Sequence, residues 1–190
     1  EDIRHRCEAA EPAVETLLTL IHKPLGYSAL GLEGAKVILG QGQAGEEIVM
    51  KIEEGQGCQI RDLRSVPMAG VDFISICPDE IRLIEVKTVA GPNSQIHIQP
   101  VEWSTMCANK RDLARKSAPH TNIPYKELVK SHIYLYIVDL AQGIVLKYKN
   151  PCQTLKDIIT RYAVQQTKYI IPYTDFTKLI TPTEVVRYAT

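Results

Sequence analysis

Asp72, Glu85 and Lys87 are the residues of this chain whose types and spacing could do chemistry. They lie in the stretch from Gly70 to Thr88, which reads as two short strands separated by Pro78-Asp79, a dipeptide suited to the middle of a turn. If those two residues form the turn, Asp72 stands opposite Glu85. Side chains alternate along a strand, so Asp72, Ile74, Ile76, Ile81, Leu83, Glu85 and Lys87 then share one face. Two carboxylates and an ammonium sit at the open end of an otherwise apolar surface. A buried face tolerates such a cluster only if its charges are paired or hold a metal.

The acid-x-Lys tripeptide carries little by itself. With 22 acidic residues and 13 lysines in 190, chance supplies about 1.5 copies. The context carries more: an Asp at a strand start, a tight turn, then a second apolar strand bearing Glu85-Val86-Lys87.

The surrounding segments must position this hairpin. Residues 1–22 carry a helical pattern in Val14, Leu17, Leu18 and Ile21. A Gly- and Gln-rich stretch from Gly40 to Gly45 precedes a helix over 46–53, whose buried stripe is Ile48, Val49 and Ile52. Glu46 and Glu47 in its first turn complement the helix dipole. Cys58–Leu63 reads as a strand leading into the hairpin, Gln95–Ile98 as a strand after it, and Pro100 opens a helix. Residues 133–139 have the apolar, β-branched and aromatic content of a central strand. Ile144–Tyr148 pairs beside it, and Thr154–Gln166 is helical through Leu155, Ile158, Ile159 and Tyr162. The tail from Lys168 reads as short strands or a wrap over the core. Tyr169, Tyr173 and Tyr188 serve as core and rim residues or stack on bases.

Composition narrows the functional classes. Net charge is zero, so any nucleic-acid site must be a local patch. Lys110, Arg111, Arg115 and Lys116, on or beside a helix end, are the candidate patch, although a solvated face with cations suited to a helix C-terminus is the plainer explanation. No apolar run approaches 18 residues, so no membrane span is expected. Five scattered cysteines, without a C-x-x-C pair, point to reduced thiols in an intracellular protein, with neither a zinc site nor a disulfide framework. The chain opens on Glu, without a secretory signal, as expected of a piece of a longer protein with partner domains elsewhere. No G-x-S-x-G supports a serine hydrolase.

Gly70-Val71-Asp72 followed by Ile84-Glu85-Val86-Lys87 resembles the core of the PD-(D/E)xK nucleases, the restriction-endonuclease-like family. With Gly45-Glu46 before it, Glu102-Trp103 opening a helix, the strand Ile133–Asp139 and Asn150-Pro151 after it, residues 40 to 152 resemble the C-terminal domain of the plant protein NO VEIN, a module also found in microbial defence and restriction proteins. The resemblance implies an α/β fold, a restriction-endonuclease-like central mixed sheet flanked by helices. It implies an N-terminal helical segment or linker over 1–39, a core over 40–152, and a C-terminal helix and tail over 153–190. It also implies metal-dependent phosphodiester hydrolysis of DNA. Asp72, Glu85, the Val86 carbonyl and Glu46 (Glu47 in reserve) would hold Mg²⁺ or Mn²⁺, Lys87 would act beside the nucleophile, and Gln99 would be an accessory polar residue. Fused or bound partner domains and a homodimer fit the same family. The alternatives are an RNA-directed nuclease and a non-catalytic nucleic-acid-binding or docking module that kept the fold.

Overall fold

The computed structural model describes residues 32–66, 70–161 and 169–188. The helix expected within residues 1–22 and Cys7 lie outside them. The chain divides into two compact units, residues 1–40 and 41–190; the fold below is that of the second.

Among the described residues, six strands form one mixed sheet in the order β1-β2-β3-β5-β6-β8. The strands are β1 (Gln59–Asp62), β2 (Phe73–Ile76), β3 (Ile81–Val89), β5 (His132–Asp139), β6 (Ile144–Lys149) and β8 (Glu184–Arg187). Among these described strands only the β3–β5 pair is parallel. A second sheet pairs β4 (Gln95–Ile98) with β7 (Tyr169–Pro172). Helix α1 (Leu32–Gly55) opens the described chain. Helices α2 (Pro100–Met106), α3 (Lys110–Ser117) and α4 (Tyr125–Leu128) fill the β4–β5 connection. Helices α5 (Pro151–Arg161) and α6 (Tyr173–Leu179) follow β6 and β7. This is the α/β arrangement expected, a central mixed sheet flanked by helices.

The hairpin folds as its sequence dictates. Ile76 pairs with Ile81 and Ile74 with Leu83, and the Cys77 N–H donates to the Glu80 carbonyl at 2.9 Å, closing a loop around Pro78-Asp79. The period-2 alternation then sorts the two faces. Ile74, Leu83, Leu135 and Ile137 join a large core with residues of α2 to α6, β4 and β7. Phe73, Ile84, Val86, Tyr136 and Val138 form a smaller one with Val49 of α1.

Helix α1 is fastened to that second face at two points. Gly45 lies so close to β3 that an added Cβ would stand 1.9 Å from Thr88 Oγ1 and 3.0 Å from its Cβ. Two turns on, Glu53 is fully buried. It accepts hydrogen bonds from Ser75 Oγ (2.7 Å) and Tyr136 OH (2.8 Å), and pairs with Arg82 (2.9 Å) and Lys147 (3.3 Å). One carboxylate thus ties the helix to β2, β3, β5 and β6. Breaking one partner of such a buried network is costly because the others are left unsatisfied.

Four expectations need correction. Helix α1 runs through the Gly/Gln-rich stretch rather than starting after it. The Lys110–Lys116 cations stand on a helix of their own, N-capped by Asn109 Oδ1 accepting from the Arg111 N–H at 2.8 Å. The tail contains α6 between its two strands. Finally, four of the five cysteines are paired, Cys58 with Cys77 and Cys107 with Cys152. Cys58 and Cys77 flank β1 and β2 and continue their register (Gln59 opposite Ile76), so the two sulfurs meet. A separation of 19 residues gave no local sign of this. The expectation of reduced thiols fails with it. Among the described residues no helix is long and apolar enough to cross a membrane.

Gly45→Ala tests the helix–sheet contact, because two effects oppose each other. Helix propensity favours Ala by about 1 kcal/mol, whereas overpacking against Thr88 costs about 1–3 kcal/mol. The expected outcome in urea unfolding is a net loss of stability, partly recovered in Gly45→Ala/Thr88→Ala.

Candidate active site

The β2–β3 register carries the candidate residues to one end of the sheet. Asp72 precedes β2, where its backbone N–H donates to the Ile84 carbonyl and its carbonyl accepts from the Leu63 N–H, both at 2.8 Å. Its side chain turns onto β3, Oδ2 accepting from the Val86 N–H at 2.8 Å. Glu85 is 3% exposed. Lys87, two residues on and therefore on the same face, places Nζ 2.7 Å from Glu85 Oε1.

A fourth residue completes the cluster. Glu102 of α2 lies with Oε2 2.9 Å from Lys87 Nζ, and also accepts the Gln99 N–H at 2.8 Å. Glu102 thus caps its helix and holds the lysine. Its place in a first turn was legible in the sequence; its contact with Lys87 was not, because 15 residues of chain separate them. Gly70 fixes the approach of α2 to Asp72. Its φ is +66°, and a Cβ there would stand 2.1 Å from Thr105 Oγ1. The glycine two residues before Asp72 therefore has a steric cause.

Electrostatics follow from burial. Burial pushes the Asp72 carboxyl up to about 6, helped by Glu46 and Glu102 and opposed by the Val86 N–H and Lys87. Burial also drives Glu85 well above the usual carboxylate range, against the pull of Lys87 and with the push of Asp72 and Glu102. Burial works against the Lys87 ammonium, but Glu85 and Glu102 outweigh it and the amine's pKa rises.

Glu46 projects from the turn of α1 held against Thr88. Its Oε2 lies 2.6 Å from Arg64 Nη1, and its charge is felt at Asp72. Glu47 is exposed. Gln99, also exposed, stands as the N-cap residue of α2. Lys110, Arg111, Arg115 and Lys116 are exposed on α3. Lys110 Nζ lies 3.4 Å from His132 Nδ1, and His132 pairs with Arg82, five residues along β3 from Lys87. That separation is roughly 16 Å, so the structure does not bring Lys110 to the carboxylates. Of the tyrosines, Tyr173 is buried and Tyr169 packs edge-on against Trp103.

The donor set suits a hard divalent cation. Asp72 and Glu85 supply buried carboxylates beside the Val86 backbone, whose raised pKa values positive charge would relieve, and the half-exposed Glu46 acts on Asp72 by its charge. Glu53, Cys58 and Cys77 also lie within 4.8 Å of one another. There the sulfurs are bonded to each other and Glu53 is engaged by four donors, so no comparable donor set remains.

A mixed sheet with helices on both faces, with Asp72 just before β2 and Glu85-x-Lys87 on the antiparallel β3, is the α/β arrangement expected from the motifs. Residues 42–113 match the family described as "Protein NO VEIN, C-terminal". The resemblance to that family holds over this stretch, which includes Glu46, Asp72, Glu85, Lys87 and Glu102. No curated protein matches the chain. Among solved structures, the 1.6 Å structure of Archaeoglobus fulgidus Hjc, a Holliday junction resolvase from an archaeal hyperthermophile, aligns with 74% of this chain and 90% of that one. The sequence identity is 8% and the TM-score 0.41.

Two predictions test the electrostatics. An acid whose pKa is about 6 folded and near 3.8 unfolded keeps a proton in the folded state between those values, so stability falls as pH rises through the window. Asp72→Asn removes that loss. In urea titrations without divalent ion, the variant should gain on wild type between pH 4 and 7, reaching about 1–3 kcal/mol; parallel pH profiles would contradict the shift. Glu102→Ala should destabilise by about 1–3 kcal/mol, through lost cap and lost lysine partner. Glu102→Gln should recover only the cap share of about 1 kcal/mol.

Proposed function

We propose that this chain is a metal-dependent nuclease domain that hydrolyses phosphodiester bonds in DNA. The observation that supports it is the meeting of Asp72, Glu85 and Lys87 on one sheet face, with Glu102 behind the lysine. On this reading Asp72, Glu85, the Val86 carbonyl and Glu46 would hold Mg²⁺ or Mn²⁺, and Glu47 takes no part. Such an ion would supply a water of lowered pKa and positive charge on the phosphate oxygens. The water oxygen forms a bond to phosphorus, the bond to one sugar oxygen breaks, and a proton is left for the departing alkoxide.

Lys87 performs the electrostatic share of this reaction. An ammonium held at 2.7 and 2.9 Å by two carboxylates stays charged, so it offsets charge developing on the phosphate and is not the base. Glu85 and Glu102 fix it in place, which removes the entropy cost of positioning it at each turnover. Gln99 acts only through the N-terminal turn of α2. By the family resemblance, the setting is an intracellular restriction or defence system, with partner domains and a homodimer that cuts both strands. The same resemblance gives a core over residues 40–152, flanked by the segments 1–39 and 153–190.

Incubation of supercoiled plasmid, linear duplex and single-stranded RNA with Mg²⁺ or Mn²⁺ tests the reading. Cutting of DNA should require the ion and fall by roughly 100-fold or more in Asp72→Ala and in Lys87→Ala. Cutting of RNA alone would move the substrate class. No cutting of any substrate, with no rise in Tm on adding the ion, would overturn the metal site and favour a docking module.

A further inference from the structure

Arg64, paired with Glu46, is a cation that the motifs do not account for. It stands in the turn after β1, one residue beyond the Leu63 N–H that donates to the Asp72 carbonyl. Two contacts fix its guanidinium without help from the cluster. Asp62 accepts from Nε at 2.9 and 3.0 Å and from Nη2, and its Oδ1 also accepts the Arg64 backbone N–H at 3.0 Å. Phe73 lies beneath, with the guanidinium carbon 5.1 Å from the ring centroid. The remaining edge, Nη1, donates to Glu46 Oε2 at 2.6 Å. Arg64 is 35% exposed on its side chain and Glu46 24%, so the pair is open to solvent and to a ligand.

Glu46 has two cationic claimants: Arg64 in this structure, and the divalent ion under the proposed function. Both cannot be served equally. With Glu46 turned to the ion, Arg64 stays in place on Asp62 and Phe73 and presents Nη1 without a protein acceptor. A guanidinium edge fixed by a carboxylate and an aromatic ring, beside a site for a phosphodiester, matches phosphate oxygen in charge and geometry.

We propose that Arg64 is a phosphate-binding residue, held by Glu46 in the ion-free protein and transferred to a backbone phosphate of the nucleic acid when Glu46 is released. The inference rests on the nuclease reading and deepens it. Asp62 and Phe73 act as positioning residues for Arg64. The turn after β1 then reads the backbone next to the bond that is cut.

Binding without cleavage tests this apart from activity. Anisotropy of a labelled DNA duplex is measured against KCl concentration, with Ca²⁺ in place of Mg²⁺ and again without divalent ion. With Ca²⁺, Arg64→Gln should weaken binding about 10-fold and flatten the slope of log K against log salt by about 0.9, the loss of one phosphate contact. Arg64→Lys should keep most of the slope but not the full affinity. Without divalent ion, Glu46→Gln should strengthen binding by freeing Arg64, and Glu46→Gln/Arg64→Gln should abolish that gain. A role limited to neutralising Glu46 does not produce this dependence. Thermal unfolding of each variant separates misfolding from lost contact, and Arg64→Lys carries the test if Arg64→Gln fails to fold. If wild type binds DNA and Arg64→Gln matches it in affinity and slope, Arg64 is only a counter-ion and the inference falls while the nuclease reading stands. If wild type binds neither DNA nor single-stranded RNA under any condition, both fall together.

Discussion

The pairing register of β2 and β3 is the constraint on which the candidate site depends. A strand has a period of two, so a slip of one residue would carry Asp72 to the face of Phe73, Ile84 and Val86, beneath α1. The two-residue turn at Pro78-Asp79 and the apolar set Ile74, Ile76, Ile81 and Leu83 specify the same register independently. Local turn chemistry and tertiary burial therefore agree, which is how a single pairing is selected over its neighbours. The same alignment continues outward: β1 pairs on β2 so that Cys58 meets Cys77, and Leu63 reaches the Asp72 carbonyl.

A correct register makes the site expensive. Two carboxyl groups and an ammonium are desolvated together, and both acids respond with raised pKa values. From outside the hairpin, Glu102 offsets the cost of the ammonium, whereas Glu102 and Glu46 add to that of Asp72. Glu102 comes from α2 and Glu46 from α1, and both helices are held by steric exclusions that only glycine permits: Gly70 against Thr105 and Gly45 against Thr88. Glu53 anchors α1 further along, on the face away from Asp72 and Glu85. That buried ion network contributes placement more than net stability, since apolar residues could fill its volume at similar or lower cost. What apolar residues could not do is fix the rotation and translation of α1 over four strands at once. A glutamate two turns away, which must reach a defined point at the sheet's end, gains from that fixation.

The legible part of this design was local. Asp72, Glu85 and Lys87 share a hairpin, and their common face followed from alternation and a turn dipeptide. Helix α2 and strands β4, β5 and β6 announced themselves through caps, β-branched content and spacing. The illegible part consists of contacts between distant segments. Glu102 meets Lys87, Arg64 meets Glu46, Glu53 meets Lys147 across 94 residues, and Cys107 meets Cys152 across 45. None has a sequence pattern, because each depends on how helices pack on a sheet. The basic run at Lys110–Lys116 allowed two readings from composition, a solvated face and a patch beside the carboxylates, and the parallel β3–β5 alignment puts Lys110 near His132, away from the row of Lys87.

That displacement has an electrostatic consequence for the proposed chemistry. The chain is neutral overall, and the candidate site carries more acid than base, with Glu46, Asp72, Glu85 and Glu102 facing Lys87 and Arg64. A polyanion is repelled by such a surface until the excess is offset. Under the proposed function, cation loading and nucleic-acid binding would therefore be coupled by charge, each strengthening the other by the same factor, since linkage is reciprocal. The two basic side chains already present answer different parts of this requirement. Lys87 is locked between carboxylates and cannot leave without uncovering them. Arg64 is fixed on Asp62 and Phe73 at one edge and committed to Glu46 at the other, so it alone can change partner without moving its backbone. Under the proposed function, a neutral chain with an acidic site would thus gain affinity for phosphate by redistributing one ion pair.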